Sequence, residues 1–506
     1  MTNVLVIGGG PAGSTASTLL AKAGVSVTLL ERATFPRYHI GESCTVSCRS
    51  LVDYIGALEK VDNFGFTRKS GVLLRWGDDP DWVIDWSSQF GFAARSWQVD
   101  REDFDKILLD HAKENGVNVV EGAQVKRVLF EDGRSVGAEW VASGEDTVRT
   151  ARADFVLDAS GRAGLISAQH FNNRQPHDIF RNVAIWGYFN GGELLPGTPD
   201  GGIDVISSPE GWYWVIPLRD NRFSVGYVTH QSVFVERRKE FPSTAEMLLG
   251  FVNESPTVRD LVANASLAEQ VRVEQDFSYA AEQFSGPGHF LLGDAACFLD
   301  PLLSTGVHLA MYSGLISAAC VLGVTNGDVT EDEAGRLYES LFRNAYGRLF
   351  TLVAGFYQKH AGRDRYLDLA ADLARETEAQ EEVVPEAPRR AFGEVIGGMT
   401  DLREAKDSSG RGGVPIGKIA VEAMKKFTPA DGLVHLVQQA QANAYAKAAG
   451  TPLAQGPRGG LMSVAPEDFY DSVSGLHLVM TPRLGIQRVA PVRAEAAAAQ
   501  AAPAGS

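Results

Sequence analysis

Four groups of residues in this chain have types and spacings suited to chemistry. Gly8-Gly9-Gly10-Pro11-Ala12-Gly13 carries the G-x-G-x-x-G spacing between a β-rich run and a helix-forming one. Glycines there let the backbone turn tightly and approach a pyrophosphate lying against a helix N-terminus. Glu31 ends the next β-rich run, where a carboxylate can accept from both hydroxyls of a ribose. Trp212-Tyr213-Trp214-Val215-Ile216-Pro217 sets two indoles at alternate strand positions, on one face. Phe298-Leu299-Asp300-Pro301-Leu302-Leu303-Ser304-Thr305-Gly306 runs into a helix, where free N–H groups of Thr305 and Gly306 can hold a halide. Lys69, in Phe66-Thr67-Arg68-Lys69-Ser70-Gly71, is an amine whose pKa falls if it is buried.

Each has a plain alternative: a glycine turn, an aromatic strand in a core, a serine N-cap on a packed helix, a solvated surface lysine. A chain that holds all four favours the chemical reading.

Leu291-Leu292-Gly293-Asp294-Ala295-Ala296 resembles the strand-to-helix turn of FAD proteins of the glutathione-reductase type, in which the carboxylate of the Gly-Asp pair meets a ribitol hydroxyl. Gln98-Val99-Asp100-Arg101 resembles the segment that supplies an arginine near the flavin phosphates, and Asp158-Ala159-Ser160-Gly161 matches the D-x-S-G turn of the same group. Val125 falls where such folds return a strand to the adenine.

The tryptophan segment fits W-x-W-x-I-P and the halide segment F-x-x-P-x-x-S-x-G, both of which resemble motifs of the flavin-dependent halogenases. The surroundings of Lys69 resemble the segment carrying that family's catalytic lysine. The loop Phe35-Pro36-Arg37-Tyr38-His39-Ile40-Gly41-Glu42-Ser43 resembles its flavin-contacting segment, which implies roles for Arg37, Gly41, Glu42 and Ser43. These resemblances cover most of residues 1–345.

They imply an enzyme that uses FAD, oxygen and chloride or bromide, with chloride favoured by abundance. Trp212, Trp214, Pro217, Phe298 and Pro301 would line the barrier and path between flavin and substrate. Halide would sit at Ser304, Thr305 and Gly306, and Lys69 would either capture hypohalous acid as a haloamine or polarise it through a hydrogen bond. No second G-x-G-x-x-G is present, so a separate flavin reductase is expected to supply reduced FAD.

One position departs from the pattern of the free-tryptophan enzymes. They carry a glutamate immediately before the Ser-Thr-Gly, where this chain has Leu303. The chain therefore resembles the phenol- and carrier-protein-type branch, which implies a phenolic ring as substrate, free or tethered. Ala391–Gly398 resembles a segment of that branch. The rivals are an aromatic hydroxylase, an isoprenoid-chain reductase and a non-catalytic flavoprotein. The hydroxylase predicts oxygenated product without halide.

The elements that must position these groups follow from period and punctuation. Asn3–Ile7, a helix over Ser14–Ala23 and a strand over Val25–Leu30 form one βαβ unit. Cys48–Val61 has helical periodicity, Lys69–Trp97 is strand-like, Arg101–Asn115 reads as helix and Val117–Val120 as strand. Ala184–Phe189, Trp212–Pro217 and Phe223–Val228 read as a separate antiparallel sheet. Phe290–Asp294 resumes the parallel pattern before a helix from Ser304 to about Leu322.

The expected class is α/β: a glutathione-reductase-type FAD-binding Rossmann core with an inserted antiparallel β-sheet and a mainly helical C-terminal region. The core would occupy 1–170 and 286–342, the insertion 171–285, the helical substrate-access region 343–492 (with helices over Tyr366–Thr377 and Leu433–Ala449) and a disordered Ala-rich tail 493–506. Asp276, ahead of the Gly-Asp strand, reads as part of a loop turn rather than as a flavin contact.

Of 506 residues, 44% are hydrophobic and 22% charged, as in an ordinary globular chain. A net charge of −16 disfavours a nucleic-acid partner. Cys44, Cys48, Cys297 and Cys320 form no CxxC and no metal-like cluster, so free thiols in a reducing cytoplasm and no metal are expected. No signal segment and no uninterrupted membrane-spanning run is recognised.

Overall fold

The computed structural model describes residues 2–357 apart from 78, 79 and 92, together with 396–398, 401, 469–471, 476–480 and 482–488. The strand Asn3–Ile7 lies between two parallel neighbours, with Val4 opposite Phe155 on one side and Val27 on the other. Six strands follow the order Ser285–Gly286, His289–Leu291, Phe155–Asp158, Asn3–Ile7, Ser26–Glu31, Asn118–Glu121. All these neighbours are parallel except the first pair. A parallel sheet is covered on both faces, so Val4-Leu5-Val6-Ile7 and Phe155-Val156-Leu157 are unbroken buried runs rather than alternating ones.

Five helices bear on the site: α1 (Pro11–Lys22), α2 (Val46–Ile55), α3 (Arg101–Glu114), α4 (Gly306–Asn326) and α5 (Glu331–Tyr357). Helix α1 starts earlier than the periodicity predicts because Pro11, with its fixed φ, takes the first helical position. The expected helix over Cys48–Val61 is two helices, α2 and Leu58–Asn63, separated at Gly56, which ends α2 in the left-handed conformation.

Helix α4 packs on α1 through its small residues. A Cβ on Gly314 would stand 2.7 Å from the Ala12 carbonyl oxygen. By length and composition α4 could cross a membrane, with a mean hydropathy of 1.7, but 89% of that stretch is buried inside the protein.

The second large sheet has nine strands, and its boundaries differ from those expected. Besides Arg174–Asn190, Ile203–Ser208, Gly211–Pro217, Arg222–His230 and Arg272–Ala281, it takes in Gly71–Arg75 and Trp82–Asp85 from the segment assigned to the core. It also takes Cys297–Phe298 from beyond the expected insertion. Gly71–Arg75 pairs in parallel with Ile203–Ser208. Pairing across more than a hundred residues leaves no local signal, so the sequence shows the strands but not the sheet they join. Asp276 belongs to the strand Arg272–Ala281, opposite Asn182, and not to a loop turn.

Alternation along Gly211–Pro217 divides its side chains between two cores. Trp212, Trp214 and Ile216 join the main core, while Tyr213 and Val215 face a second one built with Met247, Leu248 and Phe251 of the helix Thr244–Glu254.

The expected boundary at residue 343 falls inside α5, which runs unbroken from Glu331 to Tyr357. Within the region expected to be mainly helical, Phe469–Asp471, Leu476–Val479 and Gly485–Arg488 form a small antiparallel sheet. Ile486 of that sheet lies against Gly323 of α4. The helices expected over Tyr366–Thr377 and Leu433–Ala449 and the tail 493–506 lie outside the described residues.

Candidate active site

The glycine turn sits between the first strand and α1. Gly8 has φ +107°, and a Cβ there would meet the Ala159 carbonyl oxygen at 2.3 Å. A Cβ on Gly13 would meet the Gly8 oxygen at 2.0 Å. Gly10 differs: its Cβ direction meets nothing closer than the Arg37 guanidinium at 3.5 Å.

Helix α1 has no side-chain cap and no acidic residue in its first turn. Its leading N–H groups therefore face the space beside Gly10 and Arg37 without an acceptor of their own, which fits a pyrophosphate. Glu31 is buried and accepts from the Gly9 N–H (2.7 Å) through one oxygen and the Ala33 N–H (2.8 Å) through the other. Each oxygen keeps a lone pair for a ribose hydroxyl. These residues fit the adenosine half of FAD.

Arg101 opens α3 and is held by Asp105 one turn later, Nε to Oδ1 at 2.8 Å and Nη2 to Oδ2 at 3.0 Å. Its third nitrogen donates to the Ile40 carbonyl (2.7 Å). Arg37 reaches the same carboxylate at 3.1 Å, so Asp105 fixes both candidate phosphate-facing arginines. Burial opposes the Asp105 charge, but Arg101 and Arg37 hold its carboxyl below the usual range. Gly41, at φ +105°, passes so close to Arg101 that a Cβ would stand 2.9 Å from Nη1. The sequence reading missed Asp105, although Arg and Asp four apart on a helix are its recognisable signal.

Asp294 is half-buried; burial raises its pKa, against the pull of Arg162, Arg101 and Arg174. Its carbonyl accepts from Tyr279 Oη (2.7 Å) and Arg174 (3.1 Å), two further residues the sequence did not flag. Asp158 serves the turn rather than a ligand, accepting from the N–H groups of Ser160 and Ile166. Val125 lies in the strand Ala123–Glu131, which starts beside the Glu31 loop where Gly122 N–H donates to the Ala33 carbonyl (3.2 Å).

Lys69 ends the strand Thr67–Lys69, which pairs with Ser96–Gln98, and Gln98 in turn bridges to Ser43. These short pairings bring Ser43 beside Lys69, and the ammonium donates to Ser43 Oγ at 2.7 Å. Lys69 is 1% exposed, and burial pushes its pKa down to about 8. Its ring neighbour is Trp86, at 5.1 Å, rather than Trp212 or Trp214.

Glu42, also buried, accepts from the Tyr188 hydroxyl. The Tyr188 and Tyr38 hydroxyls lie 3.0 Å apart, and Trp186 Nε1 donates to Tyr38 Oη at 2.9 Å. A polar and aromatic line thus runs from Glu42 through Tyr188, Tyr38 and Trp186 to Trp214, the last two rings 6.2 Å apart.

The two indoles share a face as expected, with ring centroids 6.0 Å apart. Trp214 Nε1 donates to Ser224 Oγ (3.1 Å) and Trp212 Nε1 to Tyr357 Oη (2.6 Å). Pro217 closes their strand opposite Phe223, and Phe298 pairs with Tyr279 on the far edge of the same sheet.

In the halide segment, Pro301 starts a one-turn 3-10 helix ending at Ser304, which takes the left-handed conformation (φ +58°). Ser304 is therefore the end of one turn, not the N-cap of the next. Thr305 caps α4 and makes no side-chain cap bond, and the helix begins at Gly306. Thr305 is buried, while Gly306 is exposed and its Cβ direction is open. The N–H groups at this start therefore have no side-chain cap from Thr305.

All four cysteines are unpaired and buried.

The sequence model of the tryptophan halogenase family matches residues 3–96 and 83–391. The chain is 42% identical over 409 residues, 80% of its length, to a tryptophan 2-halogenase of Chondromyces crocatus, covering 77% of that protein. It is 34% identical to a sulochrin halogenase of Aspergillus terreus, over 70% of this chain and 68% of the other. Among solved structures, the myxobacterial chondrochloren halogenase CndH, an FAD-dependent halogenase, superposes with a TM-score of 0.67 at 30% identity, over 88% of this chain and 96% of that one.

Proposed function

Because this chain belongs to the flavin-dependent halogenase family, we propose that it chlorinates a phenolic ring, free or carried by a carrier protein, with Lys69 delivering the halogen. When bound, reduced FAD would supply two electrons and two protons, with which oxygen, halide and one further proton become hypohalous acid and water. Burial of Lys69 is the observation that carries the reading. At a pKa of about 8, roughly a tenth of the amine is neutral at pH 7, far more than for an exposed lysine. The neutral amine attacks hypohalous acid, forming an N–X bond and releasing water. Transfer of X to the ring returns a proton and restores the amine. In the alternative role, Lys69 keeps its protons and polarises the oxidant by donating to it. Thr305 and Gly306 present the N–H groups for halide, and Trp212 and Trp214 keep the ring away from the flavin.

Leu303 supports the phenolic substrate. It is buried and leaves the position before Ser304 without a carboxylate, and a phenol is reactive enough to need less assistance. Tryptophan is the second reading, favoured by the relative named tryptophan 2-halogenase. We place the enzyme in the cytoplasm, beside a separate flavin reductase.

The test supplies FAD, a reductase, NADH, oxygen and either a reactive phenol or tryptophan, with chloride, bromide or no halide. Halide-dependent mass gain on the phenol, lost in Lys69→Ala, is expected. Gain on tryptophan alone would move the substrate to the second reading. Gain of oxygen without halide would make the protein a hydroxylase.

A further inference from the structure

Trp212 is not held in place by packing alone. Its indole N–H donates to Tyr357 Oη at 2.6 Å, and that hydroxyl donates to Asp300 Oδ2 at 3.0 Å. Asp300 is buried at the head of the halide segment. Its Oδ1 accepts from Leu302 N–H (2.9 Å), which sets the turn leading to Ser304 and Thr305. Its Oδ2 also accepts from Asn182 Nδ2 at 3.0 Å. Tyr357 sits at the C-terminal end of α5, where Phe356 stands edge-on to Trp76 (5.3 Å) and Phe180 edge-on to Tyr357 itself (5.5 Å).

A tyrosine hydroxyl has one proton to give and lone pairs to accept with. Here it uses both, so the chain Trp212 → Tyr357 → Asp300 has one direction and joins three separate elements.

We infer that Tyr357 is a positioning residue that locks the Trp212 indole to the halide-binding turn. Barrier and turn then keep one geometry, and hypohalous acid formed beside the turn is steered onward instead of escaping. This rests on the barrier role proposed for Trp212.

Without the hydroxyl, the buried indole N–H and the Asp300 carboxylate each lose a partner. The indole is freed to rotate about its side-chain bonds, and the path beside it opens to water. The fold need not change, since Tyr357→Phe keeps the ring and its contact with Phe180. The predicted defect is therefore in where the halogen goes, which a purely structural residue would not alter selectively.

The experiment runs the wild type, Tyr357→Phe, Trp212→Phe and the double variant with chloride, a phenol and excess taurine, which intercepts only released hypohalous acid. The readout is taurine chloramine formed per oxygen consumed. Each single variant is expected to raise it at least threefold. The double variant is expected to match Trp212→Phe, because with the indole N–H gone the Tyr357 hydroxyl has no indole left to hold.

A wild-type ratio in folded, FAD-loaded Tyr357→Phe overturns the inference, as do strictly additive effects. If Tyr357→Phe does not fold, Tyr357→Met, which also lacks the hydroxyl and leaves Trp212 intact, decides by the same ratio. Lys69→Ala separates the two proposals. If it chlorinates phenol as the wild type does, the lysine reading fails, while the taurine ratio still reports on Tyr357.

Discussion

Lys69 Nζ lies 2.7 Å from Ser43 Oγ in a place where neither side chain meets solvent beyond a few percent, so among the described residues its hydrogen bond goes to a neutral hydroxyl. A carboxylate there would have held the amine protonated. A hydroxyl satisfies the donor without repaying the loss of water, which is why burial depresses the pKa.

A pH dependence follows. The reactive form in the haloamine route is the neutral amine, so its fraction rises with pH and levels off above the folded pKa. The rate of product formation at saturating halide is expected to climb through about pH 8 and then flatten. In the polarising role the protonated form acts, and the rate would fall through the same point. A pH–rate profile between 6 and 10 distinguishes the two. Ser43→Ala, which removes an acceptor that favours the charged form, is expected to shift the inflection to lower pH by up to about one unit.

Asp105 gives a prediction about the cofactor. It is buried with both Arg101 and Arg37 on its oxygens, and removing the charge leaves Arg101 buried without its counter-ion. Asp105→Asn is expected to cost roughly 3–5 kcal/mol of stability and to weaken FAD binding, read by thermal unfolding and flavin fluorescence titration. The folded pKa of Asp105 lies below its ordinary value. Its contribution is therefore complete above about pH 4 and lost as pH falls through the folded pKa, so the variant and the wild type should converge in acid.

How much of this was legible beforehand varied with sequence separation. The glycine turn, Glu31 and the tryptophan strand were legible because each depends on spacings of a few residues, and the structure places them as those spacings imply. The partners that hold them were not. Ser43 meets Lys69 across 26 residues, Tyr357 meets Trp212 across 145, and strands 71–75 and 82–85 join a sheet whose other members begin at residue 174. Such pairings follow from how the chain closes on itself, and composition and period carry no trace of them. The plain alternative for Ser304, an N-cap, gave way for a local reason: the Asp300 side chain accepts from Leu302 N–H in an earlier turn that ends at Ser304 and leaves Thr305 as the cap.

The packing of α4 on α1 can be tested where it is tightest. A side chain on Gly314 would push against the Ala12 carbonyl, in the glycine motif proposed to receive the pyrophosphate. Backbone cannot move aside as a flexible side chain can. Gly314→Val is expected to cost about 1–3 kcal/mol and to lower FAD affinity, measured by thermal unfolding with and without added FAD. Gly306, eight residues earlier on α4, is the internal control, since nothing stands within 4 Å of its Cβ direction.

That same openness makes Gly306 the sharpest probe of the halide. Its φ is not in the left-handed region, and alanine at a helix start exchanges a flexible residue for a better helix former. Gly306→Ala is therefore expected to leave stability unchanged within about 0.5 kcal/mol. The new methyl would stand on the residue whose N–H is proposed to hold the halide, in a direction with nothing else within 4 Å. If halide binds there, its KM should rise about tenfold, equivalent to about 1.4 kcal/mol. Bromide, the larger ion, should suffer more than chloride. The phenol KM and the flavin affinity should stay near their wild-type values, because neither molecule is assigned to that space. Steady-state kinetics with each halide in turn checks this, and an unchanged halide KM for both ions would remove the halide from the start of α4.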